Sequence, residues 1–148
     1  MAATPEKPAD YPGARLGLPE DGPGATGGWI RRIVALCVDW LIASLVASSV
    51  VGKPLWAGGN DLATAQLAVF FVMTAVLTAF AGSTIGHRFL GLRVARIAPD
   101  ETLVTGPAGI VPGLLRALLI CLVIPAVVYD TDQRGLHDRA AGTIVVRR

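Results

Sequence analysis

The longest uncharged stretch of the sequence runs from Leu62 to Gly86 and reads LATAQLAVFFVMTAVLTAFAGSTIG. A membrane-crossing helix needs about 20 mostly apolar residues to span a hydrocarbon core of roughly 30 Å. The 25 residues of this stretch exceed that length. We therefore predict a transmembrane helix over about residues 63–85, and this prediction limits the fold class more than any other feature does.

A second apolar run follows Trp29, whose amphipathic ring suits the membrane surface. Between residues 33 and 52 the only charged side chain is Asp39. This run predicts a helix over about residues 29–51. The short segment GKPLWAGGND, which is rich in turn-forming residues, connects it to the next helix.

A third apolar run extends from Thr102 to Tyr129 and contains Arg116 and three prolines. Proline interrupts the hydrogen-bond ladder of a helix. We therefore expect a helix over about residues 108–129 that is either kinked or re-entrant. Taken together, the three runs predict an all-α integral membrane protein with about three hydrophobic helices.

The composition agrees with a membrane protein. Hydrophobic residues make up 53% of the chain and charged residues 16%, and the mean hydropathy is +0.57. A soluble domain needs a charged, mixed surface, and this chain has too few charges to cover one. The net charge of +2 is also too small to indicate a nucleic-acid partner.

Residues 1–28 differ from the rest of the chain. They contain five of the 10 prolines and six of the 17 glycines, and they show no helical or strand periodicity. Because few apolar residues are present to offset the entropy of ordering, we predict a disordered tail here. Residues 29–146 are predicted to form one membrane domain.

Basic residues indicate how the chain is oriented, since loops rich in Lys and Arg stay in the cytoplasm. The first loop has only Lys53, whereas the N-terminal segment and the second loop have several basic residues each, namely Lys7, Arg15, Arg31, Arg32, Arg88, Arg93 and Arg96. We predict a cell-membrane protein with both of those segments in the cytoplasm. The C-terminal segment is basic too, yet three full crossings would place it outside. Either the charge rule is overridden there or the third segment re-enters.

Asp39 needs a partner, because an ionised side chain in the middle of a membrane helix persists only if it is paired, hydrated or protonated. Asp39 and Arg116 would lie at similar depths, about 15 Å and about 12 Å along their helices. We predict that they pair, whereas Arg32 lies too far along the first helix for a direct bond. Small residues would let another helix approach the face of Asp39, and they are Ala35, Ala43 and Ala47. A static structural role and a role in moving ions or protons fit this pattern equally well.

The second loop and the C-terminal stretch carry the remaining polar residues. Arg88 and Arg93 suit a surface on anionic lipid head groups, or ordinary positive-inside charge. Arg134, His137 and Asp138 cluster after a turn, but one imidazole and one carboxylate do not make a metal or catalytic site. The sequence has no nucleotide-binding loop, nucleophile motif or paired cysteines. We expect no enzyme activity, no metal site and no cofactor.

Two short segments rich in apolar and β-branched residues are candidates for strands, LRVARI from Leu92 and TIVV from Thr143. Each is too short to be stable alone, but together they could pair as a small ribbon. Such pairing would bring Asp138 towards Arg88 or Arg93. It requires both segments on one face of the membrane, which favours a re-entrant third segment.

Five features follow one another in a distinctive order. They are a basic pair opening the first helix, an acid in its middle, GHRFLGLRV after the second helix, an arginine in the third segment, and RGLHDRAAGTIVV near the end. This order resembles the RDD family of small membrane proteins, which is named for one arginine and two aspartates. The resemblance covers about residues 29–146.

The resemblance implies roles for particular residues. It places the family arginine on Arg32 in preference to Arg31, and the first aspartate on Asp39. The second aspartate falls on Asp138, with Asp130 as the alternative. His87 stands where the family often has a lysine, so no function that needs a permanent charge is expected there.

Two classes of function fit the resemblance and the residues. The first is transport of an ion or small ligand, including cation/proton exchange in some members, with a charge network of Arg32, Asp39, Arg116 and Asp138. The second is a non-catalytic membrane adaptor or assembly subunit that docks a partner through Arg88, Arg93, Arg134 and His137. The expected partners are the lipid bilayer and either further copies of the chain or another membrane protein.

Overall fold

The computed structural model describes residues 11–104, 106–122 and 133–148. Within these ranges the helices are α1 (Trp29–Val51), α2 (Asn60–Ala81), α3 (Ile85–Phe89), α4 (Ile110–Cys121) and α5 (Leu136–Ala140). The strands are β1 (Leu92–Ile97), β2 (Leu103–Val104) and β3 (Thr143–Arg147), and short 3-10 turns occupy Ala14–Leu16 and Leu55–Ala57.

The two long helices, α1 and α2, are long and apolar enough to cross a membrane. Each ends at a glycine with left-handed backbone, Gly52 (φ 72°) and Gly82 (φ 62°). The amide of each glycine donates a hydrogen bond to a carbonyl of the last helical turn. This is the cap that glycine permits without strain, and it explains why both helices stop where they do.

The face of α1 that packs inward is formed by small residues at helical spacing, Ala35, Ala43 and Ala47, which are fully buried. Small side chains let neighbouring helix backbones approach closely. On the other faces of α1 and α2, large apolar side chains such as Leu41, Val72 and Phe80 are exposed. That distribution suits contact with lipid and is the opposite of what a soluble helix shows.

Helix α4 packs against α2 through Gly113. A Cβ at Gly113 would lie 3.0 Å from the Ala75 carbonyl oxygen and from the Ala79 Cβ, so a larger residue would push the helices apart. The 12 residues of α4 extend about 18 Å, short of the roughly 30 Å of a hydrocarbon core. The predicted helix over 108–129 agrees with α4 at its start, and its last seven residues, 123–129, lie outside the described residues.

A three-stranded antiparallel sheet corrects the all-α prediction. The strand order is β2-β1-β3, and Val94 of β1 lies opposite Val145 of β3. The predicted ribbon between these two segments is therefore confirmed. Strands this short persist because both faces are covered by apolar residues, as three-stranded sheets with a covered face require. On one face Leu92, Val94 and Val145 pack with Ala35 of α1 and with Ala108.

The N-terminal segment from Tyr11 to Gly28 covers the other face of the sheet, where a disordered tail was expected. Leu18 is 3% exposed and packs with Ile144 and Val146. The backbone at Thr26 bridges to Val146, so the segment also lines the outer edge of β3. The apolar face and open edge of the sheet supply contacts that local composition does not reveal. Residues 1–10 of the predicted tail lie outside the described residues.

The C-terminal strand lies at the end of the helix pair where α1 begins and α2 stops. Strand β3 pairs with β1, which follows α2 closely, and bridges to Thr26, which precedes α1. A third full crossing would have placed β3 at the opposite end. Residues 123–132, over which the third segment would either cross or turn back, lie outside the described residues.

Candidate polar site between the helices

The first cluster of the site is built around Asp138 of α5, which is fully buried. Its Oδ2 accepts a hydrogen bond from Arg32 Nη1 at 2.9 Å, and its Oδ1 forms an ion pair with Arg116. Arg32 also donates from Nε to the Gly27 carbonyl at 2.7 Å and from Nη2 to the Val145 carbonyl at 3.1 Å. One carboxylate thus joins α1, α4 and α5 to the sheet.

Burying these charges is tolerated only because they compensate one another. Removing two ions from water costs more than their attraction returns, unless the geometry is good and further hydrogen bonds satisfy them. Arg32 and Asp138 meet this condition through three hydrogen bonds donated by one guanidinium. Removing one partner would leave an uncompensated buried charge.

The second cluster surrounds Asp39 in the middle of α1, which is 2% exposed. Asp39 Oδ2 accepts a hydrogen bond from Thr84 Oγ1 at 2.5 Å, and Oδ1 accepts one from the Gly86 amide at 2.7 Å. A Cβ at Gly86 would collide with the Ala35 carbonyl oxygen. Glycine is therefore required for α3 to lie this close to α1 and present its amide to the carboxylate.

The structure revises the predicted pair of Asp39 and Arg116. The ion pair of Arg116 described above is with Asp138, while Asp39 is held by Thr84 and Gly86. Arg116 remains near enough to act on Asp39 electrostatically. The estimate of similar depth predicted that Asp39 and Arg116 lie in one region. It did not predict that α5 places a second carboxylate, that of Asp138, in the same region.

The residues of the second loop and the C-terminal stretch that were predicted to contact a partner lie at different places in the structure. Arg88 is exposed and donates from Nε to Ser83 Oγ at 3.0 Å, and Arg93 is exposed on β1. Arg134 is half-buried just before α5. His137 is buried with its Nε2 3.6 Å from Asp138 Oδ1. The alternative second aspartate, at position 130, lies outside the described residues.

Sequence reasoning missed Thr84, and it noted His87 only for its place in the family resemblance. Thr84 caps α3 by accepting a hydrogen bond from the His87 amide, and its Oγ1 lies 2.5 Å from His87 Nδ1. The signal was available in the segment STIGH, because Thr three residues before a polar residue is typical of a helix start. Nothing local indicates that this turn packs against Asp39.

The hydrogen bonds define the tautomer of His87. Thr84 has one hydroxyl hydrogen, and it is donated to the Asp39 carboxylate. Towards His87 the hydroxyl must therefore accept, so Nδ1 carries the hydrogen and Nε2 presents a bare lone pair. Nε2 is buried and has no hydrogen-bond partner among the described residues. Burial, followed by the electrostatic effect of Arg116, Arg32 and His137, holds the pKa of His87 well below its ordinary value, which favours the neutral imidazole.

A cavity of about 740 Å³ opens beside these groups. One part of its wall is polar and consists of Arg32, His87, Arg116 and His137. The rest is mainly apolar and includes Leu36, Trp40, Leu67, Phe70 and Ile120 from the three longer helices. Mostly apolar pockets with a few convergent polar groups are typical ligand sites. Among the residues that the structure describes, no three His, Cys, Asp or Glu side chains are placed to hold a metal ion.

Comparison with known protein families identifies the group to which the chain belongs. The model of the RDD family matches residues 26–142, which is well over half of the sequence. The chain belongs to the RDD family. No curated protein and no solved structure matched it.

In this RDD protein the three residues that the resemblance assigned to the family name are Arg32, Asp39 and Asp138. All are buried, with exposed fractions of 6%, 2% and 0%. Arg32 and Asp138 pair directly, and Asp39 lies in the adjoining cluster behind Thr84. The family match ends at residue 142, so β3, which accepts a hydrogen bond from Arg32, lies beyond it.

Proposed function

We propose that this RDD protein has a non-enzymatic function, the transport of an ion or small ligand, with Asp39 as the group that accepts a proton from the ligand cavity. The observation that carries the proposal is the chain of side chains from Asp39 through Thr84 to His87. Its two links are each 2.5 Å long, and its outer residue, His87, lines the cavity. Buried carboxylates within membrane helices commonly mark proton paths.

The chain can move one proton without moving heavy atoms. A proton donated by a cavity ligand binds His87 Nε2, and the hydrogen on Nδ1 passes to Thr84 Oγ1. The hydroxyl hydrogen of Thr84 passes to Asp39 Oδ2. The ligand has then lost one proton, Asp39 is a neutral carboxylic acid, and His87 is the neutral Nε2–H tautomer. The reverse transfers restore the starting state.

This proton transfer changes the net charge of the site. A change in net charge suits the coupling of proton transfer to ligand binding. With Asp39 ionised, the two carboxylates Asp39 and Asp138 balance the two guanidiniums of Arg32 and Arg116. Protonating Asp39 leaves one positive charge in excess near the cavity, in surroundings of low dielectric. A ligand that has become anionic by donating its proton is therefore held more strongly until the proton returns to it.

Proton flux in liposomes that contain only the purified protein tests the proposal. A trapped pH-sensitive dye reports proton entry after a pH step or a salt gradient is imposed. We expect Asp39→Asn and Thr84→Val to abolish the protein-dependent flux, because each removes a proton carrier from the chain. Thr84→Ser should retain the flux, since it keeps the hydroxyl.

Thr78→Val is the matched control, because Thr78 is a fully buried threonine of α2 that is outside the chain of proton carriers. Its flux should equal that of the unmodified protein. Unchanged flux in Thr84→Val would refute the proposed proton path.

The adaptor function draws less support. Of the C-terminal residues that were candidates for docking a partner, His137 is buried and Arg134 is half-buried, and residues 143–146 of β3 are buried as well. Of the predicted contact residues, Arg88 and Arg93 are exposed, and they are spread over α3 and β1 with no groove between them that the described residues define.

A further inference from the structure

Helix α3 leaves two neighbouring side chains, Arg88 and Phe89, on the surface of the protein. Phe89 is 76% exposed. An exposed aromatic ring beside a basic side chain is typical of a segment that lies at the boundary between lipid and water. Neither residue belongs to the wall of the cavity described above. The proposed transport function therefore leaves this part of the surface without a role.

The direction of α3 places Phe89 near the level at which α1 begins. Helix α3 runs antiparallel to the first turns of α1, because the Gly86 amide reaches Asp39 while the Leu90 carbonyl lies 3.5 Å from Arg31 Nη1. Phe89 is next to Leu90 in the chain. It therefore lies beside the first turns of α1, where that helix enters the membrane.

The first two residues of α1 support this level. Trp29 is 53% exposed and Ile30 is 59% exposed. A tryptophan at a helix end favours the head-group region of a bilayer. With the boundary at this height, the ring of Phe89 can insert among acyl chains, while arginine side chains beside it extend their charged ends to the head groups.

Helical geometry puts an arginine on each side of Phe89. Successive residues of an α-helix are about 100° apart around its axis. Gly86 and Leu90, four residues apart, face α1, where Leu90 meets Arg31. Phe89 then projects between the side of α3 that faces α1 and the side from which Arg88 projects. The aromatic ring is flanked by Arg31 and Arg88.

Both arginines keep hydrogen-bond donors for a ligand. Arg88 is exposed and donates from Nε to Ser83 Oγ at 3.0 Å, and Arg31 is exposed and donates from Nη1 to the Leu90 carbonyl. Within the described ranges, neither arginine forms an ion pair with a carboxylate. Their remaining N–H groups form the planar fork that matches the oxygen atoms of a phosphate.

The other exposed arginine near the start of β1, Arg93, is placed differently. It lies opposite Val146, whose side chain is on the face of the sheet that the N-terminal segment covers. The opposite face packs against Ala35 of α1. Arg93 therefore points away from the membrane helices. Of the two loop arginines that were expected to suit lipid head groups, the geometry selects Arg88.

We propose that Arg31, Arg88 and Phe89 form a binding site for an anionic phospholipid. The two guanidiniums hold its phosphate, and the ring of Phe89 packs among its acyl chains. A zwitterionic phospholipid also has a phosphate, but its ammonium group opposes the attraction of two arginines. The site is separate from the ligand cavity, so it stands or falls independently of proton transfer through Asp39.

Quenching of a single tryptophan by brominated lipids measures binding at this site. The protein carries Phe89→Trp, and its three native tryptophans, Trp29, Trp40 and Trp56, are replaced by phenylalanine. It is reconstituted in phosphatidylcholine vesicles that contain either brominated phosphatidylglycerol or brominated phosphatidylcholine. We expect phosphatidylglycerol to bind beside position 89 about 25-fold more tightly, because each basic residue near the surface contributes about 5-fold.

Variants separate this site from general charge attraction. Arg31→Gln and Arg88→Gln should each lower the preference for phosphatidylglycerol by about 5-fold. Arg88→Lys keeps the charge and should retain part of the preference. Arg93→Gln is the matched control, because it removes the same charge from the other face of the sheet, and it should leave the preference unchanged. Inorganic phosphate, added at constant ionic strength, should not release the lipid.

Native mass spectrometry in a non-ionic detergent gives a second measurement on the protein with its own tryptophans. The unmodified chain should retain phosphatidylglycerol in preference to phosphatidylcholine, and the double variant Arg31→Gln, Arg88→Gln should lose that preference. The inference stays testable in this way even where the tryptophan replacements prevent folding.

Three results would overturn the inference. Equal quenching by the two brominated lipids would show that the site does not select anionic lipid. An equal loss of preference in Arg93→Gln and Arg88→Gln would show that only overall charge matters. Release of the lipid by inorganic phosphate would show that the site recognises a soluble anion and that Phe89 takes no part.

Discussion

At the scale of single residues, the polar site is organised by two carboxylates with different partners. Asp138 is held by ionic partners, Arg32 and Arg116, whereas Asp39 is held by a hydroxyl and an amide. The first arrangement places the carboxylate between two guanidiniums. The second can exist in either protonation state, because Thr84 is able to donate to a carboxylate or to accept from a carboxylic acid.

Asp138→Asn should lower the free energy of unfolding by about 3–5 kcal/mol, because two buried guanidiniums lose their shared counter-charge. Arg116→Gln should cost less, since Arg32 still pairs with Asp138. The double variant should cost less than the sum of the two single losses, as expected for contacting residues. Thermal or denaturant unfolding in detergent measures each value.

Arg93→Gln serves as the control for this set, because Arg93 is exposed and its loss should change stability by less than about 0.5 kcal/mol. Additive losses in the double variant would show that Arg116 and Asp138 act independently, contrary to the ion pair.

At the scale of elements, the sequence was informative wherever the signal was local. The long apolar runs predicted α1 and α2, and the two short β-branched segments predicted the pairing of β1 with β3. The N-terminal segment could not be predicted in the same way, because Leu18 is buried only through the sheet formed from distant parts of the chain. The path from Asp39 to His87 depends on Gly86 bringing α3 against α1, which is also a long-range event.

Cysteines replacing Val94 and Val145 should form a disulfide under mild oxidation, in a background lacking Cys37 and Cys121. The two residues lie opposite each other. The Val94 amide donates away from β3, to the Gly82 carbonyl. They therefore form a non-hydrogen-bonded pair, in which Cα atoms are about 4.5 Å apart, within the range that disulfides accept.

The matched control pairs a cysteine at position 94 with one at position 144. Ile144 is adjacent to Val145 but points to the opposite face of the sheet, where it packs with Leu18. Gel mobility without reductant should show rapid closure for 94 with 145 and little for 94 with 144. The reverse order would mean that the strands pair in a different register.

At the scale of the whole molecule, the arrangement is a helical hairpin with a folded cap at one end. The cap consists of the N-terminal segment, α3, the sheet and α5, and it gathers arginines from several parts of the sequence. The opposite end of the hairpin holds the short loop with Lys53 and the exposed Trp56. Since basic segments tend to remain in the cytoplasm, the asymmetry of charge predicts that the cap faces the cytoplasm.

Single cysteines at positions 56, 101 and 139, in the background without Cys37 and Cys121, test that orientation in intact cells. Trp56, Glu101 and Arg139 are all exposed, so an impermeant maleimide reaches whichever of them faces outside. We expect labelling at 56 alone, with 101 and 139 reacting only after the membrane is permeabilised. Labelling at 139 but not at 101 would mean that α4 and the residues after it complete a membrane crossing. Strands β1 and β3 would then lie on opposite sides of the membrane and could not pair. Residue 101 follows β1 within the basic loop. Labelling at 101 from outside would therefore show that the protein has the opposite orientation in the membrane.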